Sequence, residues 1–309
     1  MRVIRYLPDE ALYADGCVLT IGNFDGVHRG HQYLLKRLVE RGKELGLPVV
    51  VMIFDPQPRE FFRPDSSPVR LSTTTEKINL LKVMGVDDLL LLRFNRRFSS
   101  QTAAQFVQLL VDRLNLKYLV IGDDFHFGKG REGNFEYLKA AAEEFAFEVE
   151  NSSSYNLGGS RVSSTRIRKQ LASGELLQAA ELLGRPYNMS GRVIHGDKRG
   201  REIGFPTANI RVKNRKSPVQ GVFAVTMTDA QSRLYTGVAN VGTRPTVDDT
   251  DRVLLEVHLF DFDGDLYGRR VHINFLHKIR DEYKFPDVEA LKSQIQMDCQ
   301  DARRFFDTA

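Results

Sequence analysis

The sequence predicts an α/β protein of two domains, in which a doubly wound parallel sheet precedes a small antiparallel β-barrel with a C-terminal helix. The chain has 309 residues, of which 42% are hydrophobic, and a typical domain has roughly 150. Short apolar runs alternate with helical stretches up to Gly184, whereas strands separated by turns predominate after Pro186. We therefore place the boundary after residue 184, giving domains 1–184 and 185–309.

Four apolar runs in the first half are each followed by a helical stretch. The predicted pairs are 18–21 with 29–46, 49–54 with 74–85, 89–92 with 102–114, and 118–121 with 133–145. Strands that alternate with helices form right-handed βαβ units, which build a mostly parallel sheet. We therefore expect an open, doubly wound sheet in this half.

The second half is predicted to consist mainly of β-strands. The predicted strands are 190–195, 222–228, 234–241, 253–260 and 270–275, and turn-rich segments separate them. This pattern favours a small antiparallel barrel, with a sandwich as the alternative. One helix closes the chain, and its apolar side chains recur at three- and four-residue steps and form a stripe that fits against the barrel: Val288, Leu291, Ile295, Cys299 and Ala302.

The composition excludes several classes of protein. No apolar run approaches the roughly 18 to 20 residues of a membrane span, and residues 1–13 lack the apolar core of a secretory signal. The two cysteines, Cys17 and Cys299, suit a reducing compartment and supply neither a disulfide framework nor a CxxC metal site. A net charge of +4 falls short of a nucleic-acid-binding composition but helps to attract polyphosphates. We expect a cytoplasmic protein.

The stretch GNFDGVHRGH at 22–31 is the first candidate site. It follows the predicted strand that ends at Ile21 and precedes a helix, and ligands of open sheets bind at such turns. The start of a helix presents free N–H groups, and glycines let a phosphate approach the backbone closely. His28 and His31 lie one helical turn apart and face the same way, so both could donate hydrogen bonds to a phosphate during transfer.

Three other interpretations of this motif compete with phosphate binding. A zinc site needs further ligands, and no nearby Cys or His supplies them at metal spacing. A dinucleotide site of the GxGxxG type needs a different glycine spacing and a later acid. A pair of surface histidines at a helix start is the remaining structural alternative. The HxGH form of residues 28–31 resembles the nucleotidyltransferase superfamily, whose members attack the α-phosphate of ATP and release pyrophosphate.

Two further segments fit a phosphate-binding site. SSTRIR at 163–168 combines N-capping hydroxyls with two cations at the start of a helix that ends at Ser173, and Arg168 is best placed for the leaving pyrophosphate. By itself, a serine cap of this kind more often stabilises the start of a helix than binds a ligand. GDDFHFG at 122–128 follows a predicted strand, so that Asp123 could reach a nucleotide or a second substrate. Phe125 and Phe127 suit the core equally well.

Six motifs together resemble one family. They are GNFDGVHRGH at 22–31, DPQP at 55–58, GDDFHFG at 122–128, VSSTRIR at 162–168, GREIGFPTAN at 200–209 and GVANVGTRPT at 237–246. Their order is similar to that of the bacterial bifunctional riboflavin kinase/FAD synthetases, and they cover nearly the whole chain. The resemblance implies a Rossmann-like FMN adenylyltransferase domain followed by a riboflavin kinase barrel. It also implies magnesium, ATP as co-substrate, and FMN and FAD as products.

For the first half, the resemblance implies that His28 and His31 are catalytic at the ATP phosphates. The phosphate of FMN is anionic at neutral pH, so positioning and charge stabilisation suffice without a strong base. The implied ATP-binding residues are Gly22, Phe24, Asp25, Gly30, Ser163, Ser164, Thr165 and Arg168. Asp123 and Phe125 are implied to contact flavin or nucleotide. Many relatives carry histidine at position 57, whereas Gln57 here cannot titrate and is at most a binding residue.

For the second half, the resemblance implies that Glu256 orients and deprotonates the riboflavin 5′-hydroxyl. An outward-facing structural position is the alternative, because Leu255 and Val257 point the other way. Thr207 and Asn209 offer hard oxygen ligands for magnesium, or else simply form a turn. The residues implied to bind kinase ATP are Gly196, Gly200, Gly204 and Pro206. Arg280, Glu282 and Phe285 resemble a flavin-proximal segment, with Arg280 and Glu282 as the contacts.

Rival functions remain at this point. A class I aminoacyl-tRNA synthetase would need a KMSKS-like loop and an anticodon-binding region, and neither is evident. A module that binds single-stranded nucleic acid would need aromatic residues among the basic ones, and the basic loop 211–216 contains none. One of the two halves could also be degenerate. We expect riboflavin, FMN and ATP as small-molecule partners, no nucleic acid or membrane, and a monomer or weak homo-oligomer.

Overall fold

A computed structural model describes residues 1–196, 200, 203–212, 216–244 and 252–308. The chain forms two compact units. The first comprises Met1–Pro68 with Thr74–Val162, and the second comprises Val69–Thr73 with the chain from Ser163 onward. Four residues of the quoted motifs and the centre of the basic loop lie outside the described residues: Arg201, Glu202, Pro245, Thr246 and 213–215.

The first unit contains a six-stranded parallel sheet, which confirms the predicted α/β class. Its strands are β1 (Arg2–Ile4), β2 (Cys17–Ile21), β3 (Val49–Phe54), β4 (Asp88–Leu92), β5 (Leu116–Gly122) and β6 (Glu148–Ser152). They are ordered β1-β4-β3-β2-β5-β6, and each neighbouring pair is parallel. A short hairpin of β7 (Asn156–Leu157) and β8 (Ser160–Arg161) follows β6.

Helices cover both faces of this sheet, as a doubly wound fold requires. The helices that pack on the sheet are α1 (Arg29–Leu45), α3 (Thr74–Val83), α5 (Ala103–Leu114) and α6 (Phe135–Phe145), and the unit also contains the short helices α2 (Pro58–Phe62) and α4 (Arg96–Ser99). Successive residues of β2 enter different cores: Val18 packs with Leu35 and Leu81 from α1 and α3, whereas Leu19 packs with Leu110 and Leu138 from α5 and α6. This alternation follows from the two-residue period of a strand.

The second unit contains two helices, a closed barrel and the C-terminal helix. The helices α7 (Ser164–Ala172) and α8 (Leu176–Leu183) precede the strands β9 (Tyr187–Ile194), β10 (Ala208–Arg211), β11 (Gly221–Thr228), β12 (Leu234–Arg244), β13 (Arg252–Leu259) and β14 (Arg270–Arg280). The barrel closes in the order β10-β13-β12-β11-β14-β9. The predicted barrel is therefore confirmed over the sandwich.

The C-terminal helix α9 (Val288–Thr308) covers part of the outside of the barrel. Cys299 and Ala302 of α9 form one apolar cluster with Val222 and Ala224 of β11. The alternate residues of β11, such as Phe223, are fully buried and fill the interior. Ile295 packs against the same cluster, so three residues of the predicted stripe form the contact with the barrel, as the three- and four-residue spacing indicates.

The change of secondary structure and the division by packing fall at different positions. Strand–helix alternation ends with α8, and the barrel begins at Tyr187, close to the predicted boundary at 184. Packing assigns α7 and α8 to the second unit, because α8 contacts β9 and β14. Within the described residues, no helix is long and apolar enough to cross a membrane.

Candidate functional site

The strand order creates a topological switch point in the first unit. From β2 the chain runs to β3 and β4 on one side of the sheet, whereas β5 and β6 lie on the other side. Ligands of open α/β sheets bind at the carboxyl ends of the strands where the direction changes. The segment 22–31 follows β2 and 122–128 begins at the end of β5, so the structure brings these two predicted motifs to the switch point.

The turn after β2 is held in an unusual backbone conformation. Phe24 has φ 47° and Val27 has φ 41°, and both side chains are almost completely buried. Positive φ is unfavourable for such residues, so the surrounding packing must fix it. Gly30 lies close to a neighbouring ring: a Cβ at this position would lie 3.2 Å from the His28 ring, which is a tight contact. Gly22 similarly faces the Phe24 ring, at 3.2 Å from a Cβ.

The two predicted histidines form a stacked pair at the start of α1. His28 is the N-cap, and its Nδ1 accepts a hydrogen bond of 3.3 Å from the backbone N–H of His31. The ring centroids lie 3.6 Å apart with an angle of 14° between the planes. The His28 side chain therefore caps α1, and its ring lies against the ring of His31.

His31 is held uncharged by its surroundings. Burial, followed by the nearby His28, Lys77 and Arg161, lowers the pKa of His31 well below its usual value. Among the described residues, none donates to or accepts from the buried Nδ1 of His31. Buried polar atoms are nearly always hydrogen-bonded, so a neutral imidazole with an unused nitrogen suits contact with a bound ligand.

Lys77 of α3 is a site residue that the sequence did not predict. Its side chain is buried, and Nζ donates a 2.5 Å hydrogen bond to the carbonyl of Asn23, next to the strained Phe24. Buried lysines are rare unless they are paired. A lysine within a polar helix gives no signal in sequence, because most such side chains lie in water.

Asp123 forms an ion pair with Arg161, whose charge acts on His31 in the turn after β2. Its Oδ1 lies 3.0 Å from Nη2 of Arg161, which is also 3.3 Å from Asp124, and its Oδ2 accepts a 2.5 Å hydrogen bond from Ser154. Arg161 was also missed, although it directly precedes the motif at 162–168. Phe125 packs at the edge of the core, as the alternative interpretation suggested.

The motif at 163–168 forms the start of α7 in the second unit. Ser163 is the N-cap, and its side chain accepts a hydrogen bond from the N–H of Arg166, as expected of a capping serine. Ser164 and Thr165 occupy the first helical positions, where backbone N–H groups lack intrahelical acceptors. Nε of Arg168 donates to the Val69 carbonyl at 2.5 Å, so this side chain anchors the segment 69–73.

In the barrel, Glu256 lies on the outer face. Leu255 and Val257 are fully buried and fill the interior, so the side chain between them points outward, as the alternative interpretation anticipated. Glu256 of β13 is directly opposite Asn209 of β10 and Asn240 of β12. Residues opposite each other in antiparallel strands share a face, with Cβ atoms about 4.5–5.5 Å apart. The structure therefore brings the predicted base and the predicted metal ligand Asn209 together.

The predicted glycine loop lies against the two proposed magnesium ligands. A Cβ on Gly196 would overlap the Asn209 side chain, and a Cβ on Gly200 would lie 3.2 Å from Oγ1 of Thr207. Gly204 has φ 91°, which favours glycine. Asn209 belongs to β10, so the alternative that it only forms a turn is wrong for this residue.

Pro206 is fixed by a residue that sequence reasoning missed. Nδ1 of His258 lies 2.9 Å from the Pro206 carbonyl, and the His258 ring meets the edge of Phe205. His258 is two positions after Glu256 on β13, so both side chains lie on the outer face. That spacing is a signal available in the sequence.

Oxygen ligands dominate this part of the barrel. Thr207, Asn209 and Glu256 offer hydroxyl, amide and carboxylate oxygens, which magnesium prefers, together with phosphate oxygens and water. In the part of the chain that the structure describes, no three His, Cys, Asp or Glu side chains are grouped to hold a metal. The residues present therefore fit a magnesium ion that is held jointly with a bound phosphate.

Glu282 and Arg280 occupy different environments. The Glu282 carboxylate lies directly on Gly242 of β12, where a Cβ would overlap it. The guanidinium of Arg280 instead forms two 2.9 Å hydrogen bonds to buried Asp298 of α9, and its centre lies 4.7 Å from the centre of the Tyr283 ring. Arg280 thus anchors the segment that carries Glu282.

Comparisons with known proteins cover both halves of the chain. Family models for FAD synthetase and riboflavin kinase match residues 11–166 and 183–306. A bifunctional riboflavin kinase/FMN adenylyltransferase from Haemophilus influenzae is 48% identical over 309 residues, covering 100% of both chains. The Escherichia coli (strain K12) protein of that name is 50% identical over 293 residues, covering 94% of this chain and 93% of the relative. A solved structure described as a macrolide-efflux protein from Streptococcus pneumoniae is 33% identical, has a TM-score of 0.81, and covers 96% and 97% of the two chains.

Proposed function

The chain belongs to the family of bifunctional riboflavin kinase/FMN adenylyltransferases, and from this membership we propose how its residues perform the two reactions. The enzyme phosphorylates riboflavin with ATP to give FMN, and it adenylylates FMN with ATP to give FAD and pyrophosphate. The FAD synthetase match assigns adenylylation to the N-terminal half, and the riboflavin kinase match assigns phosphorylation to the C-terminal half.

In adenylylation, a phosphate oxygen of FMN attacks the α-phosphorus of ATP, and the bond from that phosphorus to the pyrophosphate oxygen breaks. His28 and His31 donate hydrogen bonds to the phosphate oxygens, on which negative charge accumulates. The observation that carries this assignment is the stacked pair at the switch point, with an uncharged His31 whose buried Nδ1 has no partner among the described residues. Preorganised donors of this kind stabilise the transition state without needing a strong base.

Other residues of the first reaction are assigned to binding. Gly22, Phe24, Asp25 and Gly30 shape the turn that receives the ATP phosphates, and Asp123 with Phe125 contacts flavin or nucleotide. Ser163, Ser164, Thr165 and Arg168 bind the triphosphate at the positive end of α7. The anchoring of Arg168 to Val69 supports a fixed position for its guanidinium.

In phosphorylation, Glu256 accepts the proton of the riboflavin 5′-hydroxyl, whose oxygen attacks the γ-phosphorus of ATP while ADP leaves. The register that sets Glu256 opposite Asn209 supports this assignment, because it joins a base to a ligand for the ATP-bound metal. Gly196, Gly200, Gly204 and Pro206 position the phosphates. Glu282 contacts the flavin, whereas Arg280 acts by holding the segment that carries Glu282.

Magnesium is proposed as the metal of the kinase half, held by Thr207 and Asn209. When bound, the ion neutralises charge on the β- and γ-phosphates. The functional boundary after residue 184, a cytoplasmic location, a monomeric or weakly associated state and the absence of nucleic-acid partners stay predictions.

A flavin time course tests the proposal. Purified protein incubated with riboflavin, ATP and magnesium should form FMN first and FAD later, as resolved by chromatography. Chelation of magnesium with EDTA should stop the formation of FMN. If FMN forms at the same rate in EDTA, the proposed role of Thr207 and Asn209 is wrong, and if FMN alone accumulates, the histidine pair does not perform adenylylation.

A further inference from the structure

Asn240 of β12 lies beside Glu256, the proposed base of the kinase reaction, and has no role in the reaction as proposed above. It lies directly opposite Glu256 on the outer face of the barrel, in the same row as Asn209 on the far side of Glu256. On its other side, Asn240 is opposite Val222, which packs under α9. The amide therefore lies between the catalytic carboxylate and an apolar wall.

The amide oxygen of Asn240 accepts no hydrogen bond from the described residues. Its Oδ1 is buried from water, and none of the described residues donates a hydrogen bond to it. Buried acceptors without a donor are rare and unfavourable, because the oxygen has lost its hydration without compensation. A ligand that brings a hydroxyl to this position would satisfy it.

The two carboxylates on this face are hydrogen-bond acceptors. Glu256 lies across from Asn240, and Glu282 covers Gly242, two positions further along β12 on the same side. Ionised carboxylates only accept hydrogen bonds. Three acceptor groups thus face a common region, and the ligand chemistry that fits them is a polyol with several hydroxyl donors. The ribityl arm of riboflavin is such a polyol.

We propose that Asn240 is a substrate-binding residue of the kinase site, whose Oδ1 accepts a hydrogen bond from the 4′-hydroxyl of riboflavin. The inference rests on the proposed function of Glu256, because the 4′-hydroxyl is on the carbon next to the 5′-hydroxyl that Glu256 deprotonates. Adjacent hydroxyls of one chain then meet two side chains that are adjacent across two strands. Asn240 thereby selects the polyol arm and orients its terminal hydroxyl.

The test compares riboflavin with 4′-deoxyriboflavin as kinase substrates. Wild-type protein should prefer riboflavin by about tenfold to a hundredfold in kcat/KM, the loss typical of one unpaired buried polar group. Asn240→Ala should lose a similar factor with riboflavin and process the two flavins at rates within about threefold of each other. Asn240→Ser, which keeps a hydroxyl acceptor, should recover part of the preference.

Asn274 offers a matched control. It is an asparagine on the same outer surface of the barrel, where its Nδ2 donates to Thr226 at 3.2 Å. Asn274→Ala should keep both the rate and the preference for riboflavin. FAD formation from FMN and the circular dichroism spectrum are recorded for every variant, so that only folded proteins are compared.

Two results would overturn the inference. If Asn240→Ala keeps the preference for riboflavin, the 4′-hydroxyl binds elsewhere. If wild-type protein processes riboflavin and 4′-deoxyriboflavin equally well, the 4′-hydroxyl makes no contact that contributes to catalysis. Failure of the underlying kinase assignment is recognised separately, because Glu256→Ala would then phosphorylate riboflavin at the wild-type rate.

Discussion

Replacement of Lys77 by methionine tests whether the strained turn after β2 is needed for adenylylation. The ammonium of Lys77 is buried and donates to the Asn23 carbonyl at 2.5 Å, directly before Phe24 with its φ of 47°. Methionine keeps most of the side-chain volume but cannot donate. The Asn23–Phe24 peptide would then be free to leave the conformation that sets His28 and His31.

The expected size of the effect follows from this one hydrogen bond. A hydrogen bond that involves a charged group contributes about 1.5–3 kcal/mol. If the turn is set correctly only when the bond is made, kcat/KM for FMN adenylylation should fall by about tenfold to 150-fold. Riboflavin phosphorylation should be unchanged, because the kinase residues are in the other unit.

The assay measures both reactions in each variant by chromatography of the flavins. Lys82 is on the same helix and is exposed, so Lys82→Met is the matched control and should leave both rates within about twofold of wild type. The reasoning is refuted if Lys77→Met adenylylates FMN within twofold of wild type. It is also refuted if the Lys82→Met control loses as much activity as Lys77→Met.

The remaining predictions concern other residues of the two sites. Because the pKa of His31 is lowered in the folded protein, the unfolded chain takes up the proton first as the pH decreases. The melting temperature of the first unit should therefore decrease when the pH is lowered from about 6.5, and this decrease should be smaller in His31→Gln. Gly242→Ala should displace Glu282 and raise the KM for riboflavin several-fold, with FAD formation from FMN unchanged. Arg280→Met leaves the Asp298 carboxylate buried without its cation and should destabilise the barrel by about 3–5 kcal/mol in urea unfolding; a loss below 1 kcal/mol would contradict the anchoring role.

Much of the fold could be predicted from the sequence because its strands are apolar and its motifs lie at strand ends. The runs that became β2 to β5 are buried on both faces, and this gives a clear pattern. Edge strand β6 was not predicted, because its residues are mostly polar and partly exposed and only the pairing with β5 defines it as a strand. The short strand β10 was missed because its four residues include Asn209, which suggested a turn.

The candidate site was predictable in its residue types but not in its supporting contacts. His28 and His31 follow from helical spacing, but the burial that keeps His31 uncharged depends on the tertiary fold. Lys77 comes from a separate helix and meets the turn only after the sheet has formed. The row of Asn209, Glu256 and Asn240 depends on barrel register, which a single sequence does not reveal.

The division of labour between the two halves is tested most directly by a crossed comparison of two variants. The double variant His28→Ala/His31→Ala and the single variant Glu256→Ala are each assayed with riboflavin and, separately, with FMN, in the presence of ATP and magnesium. The double variant should still convert riboflavin to FMN but form almost no FAD. Glu256→Ala should form FAD from FMN but leave riboflavin unchanged. Equal loss of both reactions in a folded variant would contradict the account.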